Sequence, residues 1–446
     1  MRIRGLLVAA VALAGLGGLL YWSNRAEKAK EGKPDPNAPP KILELKEDNL
    51  VRFEIRKKDQ PAVVLEKSQD GAWKITAPEP LGADPDSVRS LVSTVTSLNS
   101  DRLIEENPQD LGPYGLQAPS VELVIGQKEG AEKKLLIGDE TPTGSYYFVK
   151  LDGDARVFTM ASWNKTSIDK SVWDLRDKRL LTFDSDKLTR LELNARNETI
   201  EIGKNAQNEW QILKPRPLRA DGGNVEQLIS RLRDAKMDSN LSAEERKKAE
   251  AAFAKATAVA VARVTDAAGT QQLEVRKTKD NDYYAKSSVV DGIHKITSWV
   301  GEGLDKGLDD LRNKKLFDFG WNEPSKVEWR DGAETAVYEK SGDKWMRAGK
   351  QMDSTSVRNL IDKLRDLSAH SFPEKGFTEP AIEARVTWDD GKRTEKVLIA
   401  KNGEKYFARR ENEPAVYELT ASDVEALRSA AKDVKEQAEK PDEKKS

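Results

Sequence analysis

A long internal repeat constrains the fold of this chain more than any other feature. A tryptophan, then an aspartate 8 to 11 residues later, then an amphipathic run occur in this order three times. The tryptophans are Trp73, Trp210 and Trp345, which lie 137 and 135 residues apart. Solenoid repeats are about 20 to 50 residues long, so this spacing indicates duplication of a whole domain. The 446 residues have room for three domains of ordinary size.

Other residues repeat in the same register and support the duplication. The third copy is shorter between its helix and Tyr406, which we interpret as a trimmed loop, and it lacks the Arg-Asp-Lys motif that closes the first copy. Its equivalence to the other two is therefore less secure. The matches between the first and second copies are Tyr146-Tyr147 with Tyr283-Tyr284, Ser162-Trp163 with Ser298-Trp299, Leu175-Arg-Asp-Lys with Leu311-Arg-Asn-Lys, and Phe183 with Phe319.

Short apolar runs predict β-strands in each copy, and one amphipathic run predicts a helix. In the first copy, residues 51–55 and 62–65 have the strand pattern, and Asp84 precedes a helix with apolar residues every three or four positions. A closing helix is predicted from about 167 to 176, and its third-copy counterpart from 422 to about 437. Further strands are predicted at 121–125, 134–137, 146–150, 156–159, 191–193, 199–202, 258–265, 272–276, 283–286, 326–329, 335–339, 384–388, 396–400, 405–408 and 416–419.

Composition excludes several functional classes. The 74 Lys and Arg residues nearly balance 76 Asp and Glu, so the chain has no field that would hold nucleic acid. It contains no cysteine, which excludes thiol nucleophiles, disulfides and thiolate metal sites. His294 and His370 fall in different copies, which favours ordinary histidines over metal ligands. No phosphate-loop or G-x-S-x-G motif occurs in the sequence.

The N-terminus has the pattern of a membrane anchor. Residues 5–22 carry no charge, follow a short basic lead at 1–4, and end in the interfacial pair Tyr21-Trp22. A cleaved signal peptide would need a small-x-small site, which does not follow, so we predict an uncleaved transmembrane signal anchor. Residues 23–40 are predicted to be a proline-rich linker. Most of the chain is then expected outside the cytoplasm.

The repeated tryptophan, the helix and the segment from Leu175 to Phe183 resemble a bacterial family known as domain of unknown function 4340. The resemblance covers nearly everything after the linker. It implies a single-pass, membrane-anchored extracytoplasmic protein, often encoded beside ATP-binding-cassette (ABC) transport components related to gliding motility. It implies no catalytic residues.

Several residue groups could carry chemistry, and each has a simpler interpretation. Asp309-Asp310 and Asp389-Asp390 are paired carboxylates, but the second pair precedes Gly391 and is typical of a hairpin turn. Asp84, Asp221 and Asp353 could form a repeated site, yet each stands where a carboxylate caps a helix. The three repeated tryptophans could stack on sugars, but we predict that they are core residues.

A basic run closes the first copy and has a partner in the second. These side chains are candidates for contact with lipid headgroups or a membrane subunit, although a solvated helix end is the simpler interpretation and the favoured one. The candidate contact residues are Arg176, Lys178, Arg179, Lys314 and Lys315.

The sequence therefore predicts an α+β protein with three tandem repeats of an antiparallel β-sheet module and a packed helix, preceded by one N-terminal transmembrane helix. We expect a non-enzymatic scaffold or accessory subunit of an envelope ABC-type transport or gliding-related assembly, at the inner membrane, without a cofactor and with integral membrane subunits as partners. The alternatives are an envelope protein that binds or processes glycan and, more weakly, cytoplasmic domains. The predicted modules are 41–179, 180–315 and 316–437, and a disordered charged tail is predicted at 438–446.

Overall fold

The computed structural model describes residues 41–438, which divide into two compact units, the first ending at Lys178 and the second beginning at Arg179. The predicted anchor at 5–22, the linker at 23–40 and the tail beyond residue 438 lie outside the described residues. Within residues 41–438, no helix combines the length and apolar character needed to cross a bilayer.

The first unit contains one antiparallel sheet of nine strands. Two meanders of four strands are joined side by side through their first strands, β1 and β6, with Phe53 opposite Ile125. The order across the sheet is β4-β3-β2-β1-β6-β7-β8-β9-β5. The strands are β1 Leu50–Lys57, β2 Val63–Lys67, β3 Trp73–Ala77, β4 Leu81–Gly82, β5 Arg102–Glu105, β6 Val121–Gln127, β7 Lys133–Glu140, β8 Tyr146–Leu151 and β9 Val157–Ala161.

The second unit contains two antiparallel sheets of eight strands with the same topology. Their orders are β13-β12-β11-β10-β14-β15-β16-β17 and β21-β20-β19-β18-β22-β23-β24-β25. The first has β10 Arg190–Ala195, β11 Glu198–Lys204, β12 Trp210–Lys214, β13 Leu218–Arg219, β14 Thr257–Asp266, β15 Gly269–Lys277, β16 Tyr283–Ser287 and β17 Ile293–Ile296. The second has β18 Lys326–Asp331, β19 Glu334–Ser341, β20 Lys344–Arg347, β21 Lys350–Gln351, β22 Ile382–Trp388, β23 Arg393–Asn402, β24 Lys405–Arg410 and β25 Tyr417–Leu419. The predicted mixed α+β class with three antiparallel sheets and helices is confirmed.

Helices follow each meander and cover one face of each sheet. The three amphipathic helices bury the apolar residues that their periodicity predicts, for example Val225, Leu228 and Leu232. The helices are α1 Pro85–Thr96, α2 Ser162–Ile168, α3 Val172–Leu175, α4 Gly222–Arg233, α5 Ala243–Lys255, α6 Ser298–Leu304, α7 Leu308–Leu311, α8 Ser354–Asp366 and α9 Ala421–Lys432.

One sequence-based prediction about helices was wrong. The single closing helix of the first copy is two short helices, because Asp169 leaves helical geometry and Ser171 starts a new helix with its own capping box. The third copy is shorter after its amphipathic helix, as the sequence indicates. At this place the second copy has the helix α5, which begins with a capping box between Ser242 and Glu245.

The uncovered faces of the sheets carry paired charges, which alternate along the strands with buried apolar residues. In the third sheet, Glu383 accepts from Arg330 and lies 3.0 Å from Lys396 Nζ. In the first sheet, Glu54 bonds both Arg52 and Arg56. Opposite charges attract each other across neighbouring strands, as at Glu383, or along one strand, as at Glu54, so the high charge content is neutralised locally.

Candidate functional site

Each copy is closed by a short backbone pairing that we call the closing strap. The strap is residues 175–177, 311–313 or 435–437, and it pairs with the residues just before the amphipathic helix. The backbone N–H groups of Asp84, Asp221 and Asp353 donate to the carbonyl oxygens of Leu175, Leu311 and Lys435, at 2.8, 2.8 and 2.9 Å.

The same three aspartates cap the helices, as predicted. Their Oδ1 atoms accept from the backbone N–H of Ser87, Asn224 and Ser356 at 2.8, 2.9 and 2.8 Å. Each aspartate thus joins the start of the helix to the strap. This structural role explains why an aspartate recurs at this position in all three copies, without a repeated ligand site.

The third copy has a closing strap although it lacks the Arg-Asp-Lys motif. Met352 pairs with Glu436, as Ala83 pairs with Arg176 and Ala220 with Arg312. Backbone atoms make these pairs, and any residue except proline supplies them. The third copy is therefore structurally equivalent to the others.

The predicted contact residues lie in or beside these straps. Arg176 and Lys178 are half-buried. The Arg176 guanidinium carbon is 5.8 Å and Lys178 Nζ is 4.9 Å from the Trp173 ring centroid. In the other unit, Arg179 pairs through its backbone with Lys236.

The second-copy members of the candidate set are exposed. Lys315 Nζ donates to the Arg365 carbonyl oxygen at 3.3 Å, while Lys314 uses its carbonyl oxygen to accept from Ala369 N–H. The predicted contact of these basic residues with a membrane or a partner stays a prediction.

A polar cleft of about 870 Å³ lies between the second and third copies, inside the second unit. Its floor is a cluster of charged side chains, Arg219, Asp318, Glu395 and Arg410. Together with Glu413, which lies behind them and bonds both arginines, we call this cluster the floor network. Arg219 NH1 is 2.5 Å from Asp318 Oδ2, and its Nε is 3.0 Å from Glu413 Oε1. Burial is the largest single influence and lowers the pKa of Arg219, but Asp318, Tyr417 and Glu413 together outweigh it, so the pKa is raised.

Arg410 completes the floor network from the third copy. Its NH1 lies 3.0 Å from Asp318 Oδ2, its NH2 lies 2.5 Å from Glu395 Oε1 and its Nε lies 2.9 Å from Glu413. Burial raises the pKa of Glu395, and the neighbouring Arg410 opposes that rise. Asp318 thus bridges an arginine from each copy.

The copies differ in charge at the positions of the floor network. In the third copy, Asp318 N–H donates to Glu395 Oε2 at 2.7 Å. At the same place in the second copy, Thr182 N–H donates to Gln271 Oε1 at 2.8 Å. Arg410 donates to the Leu316 carbonyl oxygen as Ser287 donates to that of Leu180. The neutral counterparts of Arg219, Asp318, Glu395 and Arg410 are Gly82, Thr182, Gln271 and Ser287.

The floor network was not predicted from the sequence. Its members are scattered over the chain, and no short motif joins them. A comparison of the copies, position by position, would have shown arginine and carboxylate where another copy has neutral residues.

Trp210 lines one wall of the cleft. It is half-buried, its Nε1 donates to Glu226 Oε1 at 2.6 Å, and Lys204 Nζ lies 4.8 Å from its ring centroid. Trp73 is also half-buried and stacks on Phe53 at 5.2 Å, whereas Trp345 is only 3% exposed. The prediction that the repeated tryptophans are core residues holds fully for Trp345 and was too strong for Trp210.

The opposite wall is the hairpin between β22 and β23. Trp388, 4% exposed, ends β22, and the turn at Asp389, Asp390 and Gly391 has positive φ angles, which confirms the predicted hairpin. Arg393 begins β23 and is exposed.

The other candidate groups do not converge. Asp309 bonds Arg312 while Asp310 bonds Arg196, so this pair of carboxylates serves two different partners. His294 Nε2 is 2.9 Å from the Asp291 carbonyl oxygen. In the part of the chain that the structure describes, no three histidine or carboxylate side chains are grouped to hold a metal ion.

Comparison with known proteins identifies a family. Residues 73–214 and 210–382 match the model of a family described as "Domain of unknown function (DUF4340)", and together they cover more than half of the chain. Each match begins at a repeated tryptophan, Trp73 or Trp210. No curated protein and no solved structure matches the chain.

Proposed function

The chain belongs to the family of domain of unknown function DUF4340, and from this premise we propose that it is a non-enzymatic scaffold of the bacterial envelope. In this proposal, residues 5–22 anchor the chain in the inner membrane and the modules lie outside the cytoplasm. The chain acts as an accessory subunit of an ABC-type transport or gliding-related assembly. Its partners are integral membrane subunits of that assembly.

The direct linkage of consecutive copies is the observation that carries this proposal. Arg312, in the second strap, pairs with Ala220 of its own copy, and three residues later Lys315 pairs with Ser368 of the third copy. The Leu316 N–H also donates to the Leu367 carbonyl oxygen at 3.0 Å. Such linkage holds two repeated surfaces in a fixed relation, which is what a protein that positions partners requires.

Purification from solubilised membranes tests the proposal. The full-length chain, carrying an affinity tag after Ser446, is expected to retain integral transport subunits. A chain that starts at residue 23 behind a cleavable secretion signal is the matched control, and it should lose them or retain much less. Recovery of the same soluble proteins by both forms, with no membrane subunit, would contradict the proposal.

Glycan binding is the second candidate function, and the position of Trp210 favours it. A half-buried aromatic ring on the wall of a polar cleft is available to a ligand in a way that a core tryptophan is not. The two functions are compatible, because the cleft and the straps use different residues for the most part.

A further inference from the structure

We propose that the cleft between the second and third copies is a binding site for a saccharide that is neutral or carries a single carboxylate. The volume of about 870 Å³ lies in the range of small-molecule sites. Side chains from both copies line the cleft, so a ligand would touch two modules at once. This inference rests on the second candidate function and is independent of the scaffold role.

Trp210 provides the apolar surface that a sugar ring requires. One face of a pyranose ring presents C–H groups, and a flat aromatic side chain can pack against them. The bond from Trp210 Nε1 to Glu226 fixes the orientation of the indole, and the ring contributes to the cleft surface. A ring held in this way loses little conformational entropy on binding.

The polar lining supplies both donors and acceptors, as sugar hydroxyls require. Asn208 and Gln211 carry amides that donate and accept, Glu226 accepts, and Lys392 and Arg393 donate. A hydroxyl group both donates and accepts, so a mixed lining suits a polyol better than a ligand of one polarity.

The charge balance argues against a phosphate-rich ligand. Five cationic and four acidic side chains line the cleft. Arg219 and Arg410 are already bonded to Asp318, Glu395 and Glu413. Glu413, which bonds both arginines from behind the lining, brings the balance to five charges of each sign, so the cleft favours a ligand with little or no net charge.

Calorimetric titration of the full-length protein in detergent tests the site. The probes are chitotetraose and a murein disaccharide with a free carboxylate, compared with inositol hexakisphosphate and a polyglutamate peptide. At least one saccharide is expected to bind, and Trp210→Ala should weaken that binding about tenfold or more, while Trp210→Phe keeps most of it. The matched control is Trp73→Ala, at the same position of the first copy, which should bind as the parent does.

A second variant keeps the test valid where Trp210→Ala fails to fold. Arg393 is exposed, so Arg393→Ala should fold normally and weaken the saccharide severalfold. Binding of the phosphate or the peptide alone, binding of no probe, or equal losses in the Trp73 and Trp210 variants would overturn the inference. The copurification experiment would be unaffected by that result, which separates this failure from failure of the scaffold proposal.

Discussion

The charged side chains of the floor network depend on each other. The Arg219 and Arg410 side chains are only 17% and 12% exposed, so each has lost much of its hydration on folding. Ion pairs with carboxylates replace the lost contacts with water. Removal of one partner from such a cluster leaves the remaining charges without compensation, which costs more than the cluster itself contributes. The neutral residues at the same positions of the repeat show that the fold does not need charge there.

We expect Arg410→Ser to destabilise the second unit by about 2 to 4 kcal/mol, because Asp318, Glu395 and Glu413 would lose a buried cation. Restoring the whole neutral set, with Arg219→Gly, Asp318→Thr, Glu395→Gln and Arg410→Ser, should cost less than the single change. Urea unfolding measures both, with exposed Arg393→Ser as the control. A quadruple variant less stable than Arg410→Ser would contradict this account.

Asp154 should make the first unit sensitive to acid. Its carboxylate accepts from the Arg156 guanidinium at 2.6 Å, and this bond lowers its pKa to about 2 from an ordinary value of 3.8. A carboxyl group with a lowered pKa in the folded state stabilises the fold above its unfolded pKa. That contribution is lost as the pH falls from about 4 to about 2.

The corresponding test compares the parent with Asp154→Asn. The unfolding free energy of the variant should be lower by on the order of 1 kcal/mol at pH 6, a figure that already allows for the exposure of the pair to solvent. Between pH 4 and 2, its unfolding free energy should fall less steeply than that of the parent. Chemical denaturation at each pH measures this. Equal slopes for the two proteins would show that another carboxylate causes the acid sensitivity.

At the scale of elements, the sequence predicted what local periodicity determines. The amphipathic helices have apolar residues every three or four positions, and the helix predicted to follow Asp84 is found at Pro85–Thr96. The closing straps had no such signal. Each strap is one backbone bridge with two hydrogen bonds, and its residues differ between Leu175-Arg-Asp and Lys435-Glu-Gln.

The dependence of the strap on backbone atoms leads to a prediction for the third copy. Gln437 N–H donates to the Gln351 carbonyl oxygen at 2.9 Å. Gln437→Pro removes this donor and should cost about 1 to 2 kcal/mol, whereas Gln437→Ala keeps it and should cost little. Unfolding free energies of the two variants give the comparison, and equal losses would mean that the side chain, not the backbone, closes the copy.

The repeated tryptophans differ in burial, so their loss should have unequal effects. Trp345 is 3% exposed and packs in the core of the third copy, so Trp345→Ala should cost about 3 to 5 kcal/mol. Trp210 is half-buried, and Trp210→Ala should cost clearly less. Thermal or urea unfolding of the second unit compares the two variants. A larger loss of unfolding free energy for Trp210→Ala than for Trp345→Ala would mean that Trp210 is a core residue after all.

At the scale of the molecule, the length of the repeat predicted three copies of one α+β module, because self-similarity is visible in the sequence alone. It did not predict that the second and third copies form one unit. Arg219 and Asp318 lie 99 residues apart in the chain, and such a long-range charge pair leaves no periodic pattern. The candidate cleft was missed for the same reason.

The claim that this protein works by contact with a membrane assembly can be tested directly in intact cells. A photo-crosslinking amino acid at exposed Lys314 is compared with one at Asp343, in the hairpin turn between β19 and β20. We expect light to join the Lys314 position to an integral membrane transport subunit, and the Asp343 position to give no such product. Crosslinks from Lys314 only to murein or polysaccharide would contradict the scaffold account.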